Sequence, residues 1–153
     1  MKKFILIAAL ALGVAFAAAA QPKAIGVRFG YAAEISYQHN VNGADFVEAN
    51  LGSLGFWGLD VSSTYNFMIA QPAWTDRGEW GFYAGPGLAL GFFHGTSIAV
   101  QGQVGLEYTF WFPLQLAIDL KPQIGVQIWD GGAGFWRGGL YGFAPCLSVR
   151  YSF

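Results

Sequence analysis

Over residues 139–153, bulky apolar side chains fill every second position: Tyr141, Phe143, Pro145, Leu147, Val149, Tyr151 and Phe153. The residues between them are small or polar, among them Gly142, Ala144, Cys146, Ser148, Arg150 and Ser152. A period of two is the period of a β-strand, whose side chains point alternately to opposite faces. The same period recurs along the chain. It appears at 22–31 (Ile25, Val27, Phe29 against Gly26, Arg28, Gly30), at 34–41 (Ile35, Tyr37 against Glu34, Ser36) and at 45–53 (Val47, Leu51 against Glu48, Asn50). It continues at 56–67 (Leu59, Val61 against Asp60, Ser62) and at 80–92, where nearly all of the second face is glycine or alanine. The stretches 98–110 and 114–128 alternate most regularly, with Glu107 on the polar face of one and Asp119 and Lys121 on that of the other. Asn42-Gly43 and His94-Gly95 read as tight turns, while 70–78 and 130–138 read as loops. The pattern therefore predicts about eight strands, each with one apolar and one polar or small face.

Composition decides what the apolar faces meet. Charged residues make up 11% of the chain, where a soluble domain carries about 25%, and hydrophobic residues make up 54%. No internal run of about 20 apolar residues offers a helical membrane span. Strands with one lipid-exposed face give this combination. An open sheet in lipid would leave its edge groups unpaired, so the sheet must close. The expected fold class is all-β: an antiparallel up-and-down transmembrane β-barrel of about eight strands. The alternative is a secreted soluble β-sandwich with an aromatic core, but a sandwich would place charges on its outward faces, and here those are missing.

The beginning of the chain has a different character. Met1-Lys2-Lys3 is basic, 4–16 is apolar, and Ala18 and Ala20 fit a small-residue cleavage site. Residues 1–20 are expected to be a signal peptide and 21–153 the barrel domain, with no cysteine at the cut to suggest a lipoprotein. An even strand number with a signal peptide implies a cell outer membrane, with both ends of the mature chain periplasmic. Aromatic residues then form two girdles. Phe67, Trp80, Tyr108, Phe110, Phe112, Tyr151 and Phe153 fall at the periplasmic ends, and Tyr31, Trp57, Phe92, Trp129, Trp136 and Tyr141 at the outer ends. Without Lys2 and Lys3, six basic residues face nine acidic ones, which gives no reason to expect nucleic-acid binding. The single Cys146 offers neither a disulfide nor a zinc site, and no metal or cofactor is expected.

The segments GVRFG, EISYQHN, GQVGLEYTF, PLQLAIDLKP and the terminal VRYSF resemble small outer-membrane β-barrel proteins of the OmpA/OmpX type, and more closely the short porin-like barrels. The resemblance covers most of the mature chain. It implies an architecture and no particular activity. It also implies that the barrel-assembly machinery reads the C-terminal strand through Tyr151 and Phe153, with outer-membrane lipid as the other partner.

The polar faces converge on a lumen network of Arg28, Glu34, Glu48, Asp60, Glu107, Asp119, Lys121 and Arg150. Arg28 and Glu34 should be neighbours across the first hairpin. A turn centred near Pro113 would set Glu107 opposite Asp119, with Lys121 and Arg150 as the bridging cations. The interior of an eight-stranded barrel is narrow enough for side chains to fill, so the expected role is a plug, in a structural envelope protein without catalysis. A narrow channel or a lateral conduit for small apolar solutes is the alternative. Pro86, Pro122 and Pro145 each remove a ladder donor, and a bulge or weakened pairing is expected where Pro122 and Pro145 flank the 130–138 loop. A third reading is a lipid-modifying enzyme using His94 beside Thr96 and Ser97. No complete catalytic constellation assembles around His94, or around His39, which parity points outward.

Overall fold

The computed structural model describes residues 23–53, 58–92, 94–136 and 138–153. The expected signal peptide and Trp57 lie outside them. The described strands are β1 (Lys23–Phe29), β2 (Ala33–Asn42), β3 (Asp45–Ser53), β4 (Leu59–Ala70), β5 (Glu79–Phe92), β6 (Thr96–Thr109), β7 (Gln115–Leu120), β8 (Gln123–Trp129), β9 (Gly132–Phe135) and β10 (Cys146–Ser152). Each of β1 to β6 pairs antiparallel with the next, β6 pairs with β7, and β7 with β10. Strand β10 returns to β1 over the register Ala24↔Ser152 to Phe29↔Leu147, closing an eight-stranded antiparallel barrel. Even-numbered closure brings Ala24 and Ser152 to one rim, the near end, together with the turns at 43–44, 71–78 and 110–114. The turns at 30–32, 94–95 and 130–131 mark the far end.

Alternation sorts the two faces as the sequence predicts. Ile35, Leu88, Val100, Ile118, Ile124 and Leu147 are each at least half exposed on the outside. The lumen holds Arg28, Glu48, Lys121 and Arg150 at no more than 1% exposure. Between the rims, no described outward position carries a charged side chain. The β2–β3 turn sits one residue later than the Asn42-Gly43 signal suggests. Asn42 pairs with Asp45, so Gly43 and Ala44 form the loop, and Gly43 takes a positive φ of 62°.

The largest difference from the sequence expectation lies at Pro122 and Pro145, and it follows from their missing N–H groups. The expected strand 114–128 is divided into β7 and β8 at Lys121-Pro122, although both hold one register on β6, with Val104↔Leu120 and Gln101↔Gln123. The expected strand 139–153 is a strand only from Cys146. Before it, Gly138–Phe143 forms a 3₁₀ turn that lies against the break. Lys121 N–H donates to the Gly142 carbonyl at 2.8 Å, and Gly102 N–H to the Pro122 carbonyl at 3.1 Å. The 130–138 loop contains β9, which folds back on β8. Its four residues, Gly-Ala-Gly-Phe, are too short and too small to show a period.

The 3₁₀ turn can lie this close because Gly142 has no side chain: a Cβ there would come within 2.7 Å of the Pro122 Cα. Gly142→Val is expected to lower the unfolding free energy by about 2 kcal/mol, as overpacking does. Gly43→Asn, in open space at a positive φ, should change it by only a few tenths of a kcal/mol, since Asn tolerates that conformation. Urea titration followed by tryptophan fluorescence measures both.

Candidate functional site: the filled lumen

Two ionic clusters occupy the lumen. In the first, Arg28 of β1 donates to Glu34 of β2 at 2.5 Å and grips Asp119 of β7 through Nε and Nη2. Lys121 donates to both Glu34 oxygens, at 2.7 and 2.9 Å, and to the Ser62 hydroxyl at 3.1 Å. Glu34 thus sits between two cations, and Arg28 between two carboxylates. Arg28 and Glu34 are direct ladder partners across the first hairpin. The second cluster centres on Arg150 of β10, which pairs with Glu48 of β3 at 3.1 Å. Its other donors go to Ser36 (2.9 Å), Ser148 (3.2 Å) and Gln115 (3.4 Å). Gln38 and Gln103 each add a hydrogen bond to Glu48 at 3.3 Å. Charge-assisted bonds of this kind satisfy buried ions that would otherwise be costly.

Glu107 and Asp119 are not opposite each other. The ladder pairs Glu107 with Ala117 and Asp119 with Gly105. The β6–β7 turn centres on Phe112 and not on Pro113, and each residue of displacement in a turn centre moves the cross-strand partner by two. The bridging cations differ as well: Asp119 is held by Arg28, Lys121 serves Glu34, and Arg150 serves Glu48. Among the described residues, Asp60 and Glu107 form no ion pair. Asp60 Oδ1 has no hydrogen-bond partner, and Glu107 accepts a single long contact from Gln38 at 3.5 Å.

Neutral side chains that the charge pattern passed over fill the remaining space. Gln101 donates to Thr64 at 2.5 Å and accepts from Gln123 at 3.0 Å, and Asn66 donates to Gln103 at 3.2 Å. Phe46 and Tyr83 are also inward, in edge contact at 5.1 Å. Parity marks both, since Phe46 shares the face of Glu48 and Tyr83 is the large residue on the small face of β5. Trp136 corrects the expected outer girdle. It is 7% exposed and packs with the inward Ala89 and Ala99, tied by its backbone N–H to the Gly125 carbonyl at 2.9 Å. It therefore packs inside the far half of the lumen.

The remaining candidates lie apart from this network. Tyr151 and Phe153 are exposed at the near rim with stacked rings 6.2 Å apart. His39 keeps outward parity but is covered, beside Tyr37. His94 occupies the exposed β5–β6 turn at φ 47°, whereas Ser97 turns into the lumen. The described residues include no group of three or more His, Cys, Asp or Glu placed to hold a metal ion. No protein-family model, curated protein or solved structure matches the chain.

The network makes opposite demands on two neighbouring carboxylates. Glu34→Gln leaves Lys121 and Arg28 short of a counter-charge and should cost about 3 kcal/mol of unfolding free energy, as breaking a buried pair does. Asp60→Asn removes a buried charge that has no ion pair and should be neutral or stabilising. Equilibrium urea denaturation of the two variants checks both signs.

Proposed function

We propose that the chain is an outer-membrane β-barrel of the small porin-like kind, closed by its own side chains, with a structural or interaction role at the envelope and without catalysis. The observation that supports this reading is the inversion of the usual globular arrangement. The buried interior is dominated by charged and polar side chains, while isoleucine, leucine, valine and phenylalanine cover the outside. In water such a surface would be an aggregation liability, because apolar patches on soluble monomers seldom exceed a few hundred Å². In a bilayer it is the solvated face, and the closed ladder leaves no edge strand in lipid. The signal-peptide pattern at 1–20 supports delivery to that membrane, and an even strand number agrees with a topology in which both ends are periplasmic. Exposed Tyr151 and Phe153 are available on the C-terminal strand for the barrel-assembly machinery.

A lateral conduit for apolar solutes is the second reading, supported by the place between Pro122 and Pro145 where strand pairing gives way to a 3₁₀ turn.

Refolding into phosphatidylcholine vesicles tests the membrane reading. The chain should co-float with lipid and show tryptophan quenching by brominated acyl chains. A monodisperse soluble barrel without detergent, not quenched by such lipid, would overturn it. In planar bilayers the filled lumen should give no discrete conductance steps, and sizeable reproducible openings would exclude the plug.

A further inference from the structure

At the near end the lumen widens into a cavity of about 300 Å³, open to solvent at the rim. That is the volume of about ten water molecules and lies at the lower bound of small-ligand sites. Its wall is chemically one-sided. Glu107 and Glu79 line it, no lysine or arginine among the described residues does, and the other polar groups are amides and hydroxyls, among them Gln38, Gln71, Gln115 and Thr109. Phe46 and Met68 add an apolar surface.

Glu107 sets this cavity apart from a solvated rim. Its side chain is inward and the residue only 8% exposed. Among the described residues it has no cation within ion-pairing distance, and the hydrogen bond it accepts from Gln38, at Oε2, is long at 3.5 Å. Arg150, the cation of the adjoining cluster, is committed to Glu48, Ser36, Ser148 and Gln115. Glu34, Asp119 and Glu48, the carboxylates of the two ion-paired clusters, each have a counter-charge. Glu107 has a void in place of one.

We propose that the near-end cavity binds a small organic cation bearing a primary ammonium group, with Glu107 as its counter-ion. An ammonium has three donors; the Glu107 carboxylate accepts one, and the side-chain carbonyls of neighbouring glutamines take the rest. A short alkyl chain then lies along Phe46 and Met68. A divalent metal fits poorly, because calcium takes six to eight oxygen ligands at 2.3–2.6 Å and magnesium six at shorter range, and the void is far larger than one ion. Glu79, exposed at the rim, adds to the negative potential that draws a cation in. The inference rests on the closed barrel and its cavity, not on the membrane in which the barrel is proposed to sit.

The test is an NMR titration of the refolded full chain in detergent micelles with n-butylammonium chloride, alongside n-butanol and magnesium chloride at matched ionic strength. Saturable shifts of the amides of Asn40, Gly43, Thr109 and Gln115 are expected with n-butylammonium alone. Glu107→Gln should weaken binding at least tenfold. Thr109→Lys places an ammonium on the cavity wall, leaves every ion pair intact and gives up only a 3.5 Å hydrogen bond from Gln115, and it should abolish binding. Equal responses to n-butanol or magnesium, no saturation, or undiminished affinity in a folded Glu107→Gln would overturn the proposal. If Glu107→Gln does not fold, binding that survives Thr109→Lys overturns it and binding lost there sustains it.

Discussion

The pairing of β1 with β10 is the constraint from which the rest of the structure follows. It turns a sheet with two edges into a ring, and a ring admits only one set of registers at a time. A slip of one residue in any ladder would send that strand's lumen residues to the outside, and closure would pass the error to its neighbours. The seam also carries two of the three lumen cations. Arg28 lies across from Ser148, and Arg150 across from Gly26. A small partner faces each guanidinium, so both are free to cross the lumen to carboxylates on other strands. One ladder therefore closes the wall and positions the charges that the interior is built around.

Those charges bind strands that are distant along the chain. Arg28, Glu34, Asp119 and Lys121 tie β1 and β2 to the β7–β8 junction, and Arg150, Ser36 and Glu48 tie β10 to β2 and β3. Buried ion pairs are weak sources of net stability, because desolvation offsets most of the attraction, but removing one partner is expensive. Their effect here is on choice among registers. Any misregistered barrel strands at least one of the charges, so the penalty for an unpaired ion works against every alternative closure.

Much of this was legible in the sequence, and the failures have local causes. Parity alone assigned all eight lumen charges to one face and gave the strand number, because a closed antiparallel sheet with two different solvents imposes an unbroken period of two. The Arg28–Glu34 contact was readable because the first hairpin is short. The supposed Glu107–Asp119 opposition failed because Phe110 to Leu114 leaves the turn centre ambiguous by one residue. Cross-lumen contacts such as Arg28 with Asp119 depend on the tilt and stagger of the whole ring, which no local pattern carries. Trp136 was misassigned because its surroundings are glycine-rich and aperiodic, and a tryptophan near a strand end suits an interfacial girdle as well as a lumen. Pro122 and Pro145 signalled a weak wall, but the 3₁₀ turn that covers it left no trace in the alternation.

Lys121 is where the weak wall and the ionic interior meet. Its backbone N–H holds the Gly142 carbonyl of the 3₁₀ turn, and its ammonium holds Glu34 on the far side of the seam. The two bonds are unequal in consequence. Displacing the turn costs a single neutral hydrogen bond and the packing around it, whereas moving Lys121 itself would strand Glu34 and Ser62. Any yielding of the wall is therefore confined to the segment between Gly138 and Pro145, while β7 and β8 stay fixed by their common register on β6. The prolines weaken pairing on only one side of that stave, and the side they weaken is the one the ionic network reinforces from within.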